Sequence, residues 1–388
     1  TIVVPDLAQA LASRAGEGQD LRVLTAVLDP VIAGVDDDGP RQIDPTTGAR
    51  LLPQVGCSDA AGRRVMSIRE VRVPVIHGLR SPQGAAGSAP APARRPGGGI
   101  DLGPAHLDRA GLLTTLAGVS VVGPLPTIWR APTDNDEGHG PLDYWRAAPT
   151  RAALGAGAGR AGPSSADCWR QARLHLMNRR HLETEPEGDC VTVRSRCSAP
   201  SRTWTLEVTT TARAERGGVR LRTRIVPTGD LPPVLPRLGV CLGLPAELSE
   251  ATWSGTGPAP AYSDLAGAVR HGVFAAPVGR MWQQPVRPQE GGNRPGLRSL
   301  WLKGRAHRVV VLIDPGTPVS FSLSPWSLDN LTAAAHVEEL VADSRLWLHL
   351  DALHHGIGSR SCGPDVRPEH AAVPRPVVIE FWIGARSA

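Results

Sequence analysis

The sequence predicts an all-β protein whose main part is a large antiparallel sandwich of two packed sheets. Two observations lead to this prediction. Nine short segments alternate apolar and polar residues or run continuously apolar, as strands do, and turn-forming residues separate them. The 388 residues also include 37 prolines and 43 glycines, which leave little room for long helices.

The first 80 residues are expected to form a partial small β-sandwich of the immunoglobulin-like kind. Segments 21–28 and 70–76 have strand character, and the turn cluster at 36–40 (Asp-Asp-Asp-Gly-Pro) lies between them. Residues 81–99 are rich in proline and glycine and offer no apolar face. They are therefore predicted to be a linker between this region and the sandwich at 100–388.

The strands of the main sandwich follow one another along the rest of the chain. Turns such as 215–218 (Glu-Arg-Gly-Gly) and 314–316 (Asp-Pro-Gly) mark their ends. Apolar residues at helical spacing predict helices only at 142–154 and 328–341. The predicted strands are 191–196, 203–212, 219–227, 239–244, 297–303, 309–313, 319–323, 346–353 and 377–383.

Composition excludes several classes of protein. The formal charge of +5 comes from 42 basic and 37 acidic residues spread along the chain, which does not favour nucleic-acid binding. Six cysteines without a Cys-x-x-Cys pair predict reduced thiols and no structural zinc or other metal site. Without an apolar run of 18 residues or a signal-like N-terminus, we expect a cytoplasmic protein that contacts no membrane.

The most informative segment is 126–138, where an apolar strand end runs into a rigid turn. Pro132 fixes its own φ and keeps the preceding residue out of the helical region. Trp129 can stack, and Arg130 can bind a carboxylate through two parallel bonds. The carboxylates of Asp134 and Asp136 are expected to cap backbone amides or to pair with Arg130, since the spacing with Asn135 does not fit an EF-hand.

Residues 129–138 (Trp-Arg-Ala-Pro-Thr-Asp-Asn-Asp-Glu-Gly) closely resemble the signature that opens the C-terminal domain, or small-chain region, of family 2 glycoside hydrolase β-galactosidases. Four later segments extend the resemblance in family order, so that it covers about 98–384. Two of them depart from the pattern, with Pro260 in place of an acid and Gly291 in place of an asparagine. The later segments are 253–264, 288–294, 331–336 and 356–364.

The resemblance implies a galactose-mutarotase-like supersandwich over 100–388. In this family two glutamates on an upstream barrel hydrolyse β-galactosides with retention. No segment here resembles their motifs, so we expect no catalytic residue on this chain. The resemblance further implies a β-galactoside substrate, a barrel-bearing catalytic domain or subunit as partner, and an oligomeric assembly. Any Mg or Na would belong to the absent domain.

The same resemblance suggests where the chain meets substrate. In some family members a tryptophan in the loop matching 356–364 forms a platform for sugar, and Cys362 stands at that position here. Ser361 and Cys362 are therefore candidate cleft residues, and a simple tight turn is the alternative. Glu290 and Asn293 are candidates on a loop reaching toward the cleft or a neighbouring domain, with a solvated hairpin loop as the alternative.

A second hypothesis is a stand-alone carbohydrate-binding or aldose-epimerase-like module. Its acid and base would be His336 with Glu338 or Glu339. We otherwise expect His336, His354 and His355 to be surface or domain-interface histidines.

Overall fold

The computed structural model describes residues 23–24, 70–71, 91–138, 163–215, 217–283, 285–361 and 365–387. The chain divides into two compact units, Thr1–Gln83 and Gly84–Ala388. In the first unit the described residues are two short antiparallel strands, β1 (Val23–Leu24) and β2 (Glu70–Val71). The rest of the predicted immunoglobulin-like sandwich lies outside the described residues, so that assignment stays a prediction.

The second unit carries all other described elements. Within the predicted linker, Ala93–Arg94 already pairs with the next strand, so the sheet begins before residue 100. The strands are β3 (Ala93–Arg94), β4 (Ile100–Leu102), β5 (Ala105–Leu107), β6 (Leu113–Leu116), β7 (Val119–Thr127), β8 (Asn178–Glu187), β9 (Cys190–Ser198), β10 (Thr205–Glu215), β11 (Gly218–Thr228), β12 (Arg237–Pro245), β13 (Leu248–Gly257), β14 (Arg270–Pro277), β15 (Ser299–Gly304), β16 (His307–Ile313), β17 (Ser320–Ser324), β18 (Arg345–His354) and β19 (Val377–Ser387).

These strands form two antiparallel sheets. One has nine strands in the order β14-β13-β15-β16-β19-β11-β10-β9-β8, and the other has eight in the order β17-β18-β12-β7-β6-β5-β4-β3. Alternate residues of β10, such as Leu206 and Val208, enter one hydrophobic core with Leu242 and Leu348 of the other sheet. The predicted all-β sandwich is confirmed.

All nine predicted strands are present, and the strand end predicted at the start of segment 126–138 is the end of β7. β3 to β6, β8, β13 and β14 were not predicted. Many of these strands are short or carry charged residues on their exposed faces. β8, for example, is Asn-Arg-Arg-His-Leu-Glu-Thr-Glu-Pro-Glu and is largely exposed at the edge of its sheet. Its place depends on pairing with β9 rather than on an apolar pattern of its own.

Among the described residues, helices are few and short: α1 (Asp134–Glu137), α2 (Ser165–Gln171), α3 (Leu328–Ala333) and the 3-10 turns Leu174–Leu176, Val278–Arg280, Val337–Glu339 and Pro368–His370. The helix predicted at 142–154 lies outside the described residues. The helix predicted at 328–341 is wrong in length, because Ala334 is extended and the side chain of Glu339 accepts from Ala335 N. In the part of the chain that the structure describes, no helix has the length and apolar character needed to cross a membrane.

Candidate functional site

Several of the residues singled out from the sequence meet at one cleft of about 560 Å³. Residues of three segments line it: the start of α1 at 133–135, the loop at 283–291, and the loop at 357–361. Tyr262 and Leu265 complete the wall. The cleft thus lies where segments distant in sequence come together.

Helix α1 is fixed at both ends by local bonds. The hydroxyl of Thr133 accepts from Asp136 N at 3.1 Å, and the carboxylate of Asp136 accepts from Thr133 N at 2.8 Å, which forms a capping box. Gly138 ends the helix with a φ of 68°. This cap places Asp134 and Asn135 at the cleft.

Arg130 lies fully inside the protein behind this helix. Its guanidinium donates to both oxygens of Asp136, to His355 O at 2.7 Å and to Gly356 O at 2.9 Å. Burial opposes the charge of Arg130, but attraction to Asp136 outweighs it and raises the pKa of Arg130. Arg130 therefore stays charged and joins α1 to the segment after β18.

Trp129 and helix α2 pack around this guanidinium. Trp129 is buried against Trp169 of α2, with ring centroids 6.5 Å apart, and its indole N–H donates to the hydroxyl of Thr332. The guanidinium of Arg130 lies 5.4 Å from the centre of the Trp169 ring. Arg170 of α2 forms an ion pair with Glu137 of α1, which links the two helices.

A second buried ion cluster lies behind the cleft. Arg237 of β12 is 3.1 Å from the carboxylate of Asp351 on β18 and 3.5 Å from that of Glu290, and all three side chains are fully buried. Two carboxylates thus face one guanidinium. Burial, reinforced by Glu290, raises the pKa of Asp351 to about 7 against the attraction of Arg237.

Glu290 connects this cluster to the cleft. One oxygen of its carboxylate accepts from the Tyr262 hydroxyl at 3.0 Å and from Gly292 N at 3.2 Å, while the other faces Arg237. Asn293, expected in the cleft, lies instead behind its wall: it is buried, and its amide donates to Ala261 O at 2.8 Å. Asn293 therefore holds the loop in place from inside.

His354 ends β18 and is partly buried, and His355, which follows it, is 2% exposed. The expectation of surface or domain-interface histidines is therefore wrong for His355, which is buried within this unit. Burial, with the charge of Arg130, lowers its pKa to about 4. His354 Nδ1 lies 3.1 Å from His355 O, and Nε2 lies 3.3 Å from an Arg237 nitrogen. An Arg130 nitrogen also lies 3.2 Å from His354 Nδ1, so each ring nitrogen faces a guanidinium. Burial, with the charges of Arg237 and Arg130, lowers the pKa of His354 well below its usual value.

The pair considered for an epimerase, His336 with Glu338 or Glu339, has a different setting. His336 bonds Glu339 at 3.0 Å, but both side chains are more than half exposed and neither lines the cleft. The bond to Glu339 raises the pKa of His336. The arrangement is that of a surface ion pair.

The loop at 355–361 forms one wall of the cleft. Its amides at Ile357 and Gly358 donate to the carboxylate of Asp264 at 2.9 and 2.8 Å. Asn135 donates to Gly358 O at 2.8 Å and accepts from the backbone and hydroxyl of Ser361. Ser361 lines the cleft, whereas Cys362 lies outside the described residues.

Sequence reasoning missed Arg237, Asp351, Tyr262 and Asp264. The last two stood in the recognisable segment 253–264 and could have been found there. Arg237 and Asp351 lie in mainly apolar strands and meet because β12 pairs with β18. Among the described residues, no group of three or more His, Cys, Asp or Glu side chains is arranged to hold a metal ion.

Comparison with solved structures finds a putative aldose 1-epimerase from Escherichia coli at 10% identity. The match covers 77% of this chain and 99% of that one, with a TM-score of 0.35.

Two β-galactosidases resemble the chain at higher sequence identity. The chain is 36% identical over 308 residues to a β-galactosidase from Arthrobacter sp. (strain B7), covering 76% of this chain and 29% of that enzyme. It is 26% identical over 263 residues to the β-galactosidase of Kluyveromyces lactis, covering 66% of this chain and 23% of that enzyme. The chain thus spans less than a third of either relative.

The family model described as beta galactosidase small chain matches residues 106–383. The chain therefore belongs to the β-galactosidase small chain family.

Proposed function

We propose that this chain is the C-terminal part of a β-galactosidase and supplies one wall of its substrate cleft. The catalytic glutamates would lie on a barrel domain outside this chain and hydrolyse terminal β-D-galactosides, such as lactose, with retention. The observation that carries the proposal is the cleft itself. It is built from the same segments, 129–138, 288–294 and 356–361, that carry the family resemblance.

The chemistry of the cleft suits a supporting wall. Asp134 and Gln289 bond each other at its edge, with Gln289 donating to the Asp134 carboxylate at 3.0 Å. Oxygen and amide groups of this kind can bond sugar hydroxyls. Glu290, by contrast, is engaged by Tyr262, Gly292 and Arg237, which favours a role in holding the loop over one in proton transfer.

The rim of the cleft favours contact with another domain. Leu265 and Val286 lie on the segments that form the cleft and are 57% and 89% exposed. Burying these two side chains against a second domain would be favourable, since it removes apolar surface from water. We propose a barrel-bearing β-galactosidase domain or subunit as that partner, within an oligomeric cytoplasmic enzyme. Any Mg or Na would bind on the partner.

Reconstitution tests this proposal. The purified chain is assayed with a chromogenic β-galactoside, alone and mixed with a barrel-containing fragment of the Arthrobacter enzyme. Activity is expected only in the mixture. The barrel fragment alone and the fragment mixed with heat-unfolded chain serve as controls. Activity from this chain alone would mean that catalytic groups lie on it, and inactivity of every mixture would refute the complementing role.

A further inference from the structure

The loop at 355–361 lies outside the sheets. Backbone bonds to Pro236 O and His370 O hold its start, and side chains from two other segments hold the rest. Residues 355–359 belong to neither helix nor strand. The carboxylate of Asp264 accepts hydrogen bonds from the amides of Ile357 and Gly358. The side chain of Asn135 donates to Gly358 O and accepts from Ser361 N. These backbone groups are partly buried, and side chains supply the bonds that a sheet would otherwise provide.

Close packing makes these contacts sensitive to geometry. A Cβ atom added at Gly356 would lie 2.5 Å from a carboxylate oxygen of Asp264, so the backbone lies directly against that carboxylate. Gly358 has a φ of +62°, which side chains rarely adopt. The Asp264 carboxylate therefore packs against the loop backbone at Gly356 and accepts from the next two amides.

We propose that Asn135 and Asp264 are positioning residues that set the substrate-facing wall of the cleft through Ile357 and Ser361. Both of these loop residues line the cleft, and so does Asn135 itself. The inference rests on the proposed function, because it takes the cleft to be the one that receives the galactoside. The reacting groups lie on the partner, so a displaced wall changes substrate binding more than the chemical step.

Three variants separate the bonds involved. Asp264→Ala removes both amide acceptors, and Asn135→Ala removes the donor and the acceptor together. Asn135→Asp keeps the acceptor for Ser361 but replaces the amide that donates to Gly358 O with an oxygen that repels it. Asn178→Ala is the matched control, since the amide of Asn178 is exposed and bonds only the nearby Leu176 O among the described residues.

Two measurements decide the proposal. In the full chain alone, hydrogen exchange should become about tenfold faster at the amides of 357 and 358 in Asp264→Ala and at the amide of 361 in Asn135→Ala. Exchange in β18 should be unchanged. In the reconstituted mixture, KM for o-nitrophenyl β-galactoside should rise about fivefold with kcat within about twofold, and Asn135→Asp should lie between Asn135→Ala and the wild type.

The outcomes are distinguishable. Unchanged exchange in both alanine variants refutes the holding role, and faster exchange with unchanged KM refutes the wall role. A fall in kcat at constant KM would also overturn it, because it would place these groups in the chemical step. If the wild-type mixture is inactive, the proposed function fails and the wall role fails with it. The exchange result then still shows whether the two side chains hold the loop.

Discussion

Arg130 and Asp136 form an ion pair entirely inside the protein, with Nη2–Oδ1 at 2.7 Å and Nε–Oδ2 at 3.2 Å. The two residues are six positions apart, on either side of a sharp turn. The guanidinium also donates to two carbonyls of the loop after β18, and the carboxylate caps α1. One buried pair therefore connects the turn, the helix and the cleft wall.

Breaking this pair from one side should be strongly destabilising. Asp136→Asn leaves the Arg130 charge buried without its counter-charge, and loss of one partner of a buried pair costs about 3–5 kcal/mol of unfolding free energy. Arg130→Lys should also destabilise, because an ammonium cannot reproduce the forked contacts. Urea unfolding followed by tryptophan fluorescence measures both changes.

The control is the exposed pair Arg196–Glu207, with bond atoms 2.8 Å apart. Glu207→Gln should have a far smaller effect, since water screens this pair. If Asp136→Asn and Glu207→Gln lowered the unfolding free energy equally, burial would not be what makes the Arg130–Asp136 pair important for stability.

Asp351 should make the protein less stable as pH rises. Its pKa of about 7 in the folded state lies above the value of about 3.9 for an unfolded chain. Between these values the folded protein binds a proton that the unfolded chain has released. The stability contributed by protonated Asp351 is therefore fully present below the unfolded pKa and is lost as pH rises through about 7.

Asp351→Asn tests this sign, because the amide cannot ionise. Its unfolding free energy relative to wild type should increase between about pH 5 and pH 8, with urea midpoints measured at each unit. A constant difference over that range would show that Asp351 does not titrate there.

His355 should make the protein less stable as pH falls, which is the opposite of the pH dependence expected from Asp351. Its pKa of about 4 is lowered from the usual 6.5, so its contribution is present above pH 6.5 and lost as pH falls through about 4. Ala372 N donates to His355 Nδ1 at 3.3 Å. His355→Asn keeps a side-chain acceptor for this amide but cannot titrate, so it should reduce the acid loss of stability. His336→Asn is the control, because the raised pKa of His336 predicts the opposite sign. The same slope change in both variants would contradict the assignment.

Gly292→Ala should displace the loop that carries Glu290. A Cβ atom at this position would overlap the indole ring of Trp282, which packs directly on the glycine. We expect a loss of about 1–3 kcal/mol in unfolding free energy. The reconstituted mixture should also lose activity. Gly279→Ala is the matched control, since no atom lies within 4 Å of its added Cβ. Equal stability of the two variants would refute the packing account.

The parts of the site that could be predicted are those with a local chemical signature. The turn at 129–138 revealed Trp129, Arg130 and the acidic residues, and the segment 288–294 revealed Glu290. The direction in which each side chain points could not be predicted. Glu290 reaches the cleft and Asn293, three residues later, turns inward to Ala261 O, because each follows whichever backbone group the fold brings near it.

By itself, the sequence determined the class of fold and the family, because strand periodicity, turn residues and ten contiguous motif positions are local properties. Only the tertiary structure decided which charges meet. Arg237 and Asp351 lie 114 positions apart and face each other because β12 pairs with β18. Asp264, in the turn after β13, bonds Ile357 N of the loop at 355–361 although 93 positions separate the two residues. Long-range contacts such as that of Arg237 with Asp351 depend on strand register, which the packing of the whole core sets. The residues on either side of each charge do not reveal that register.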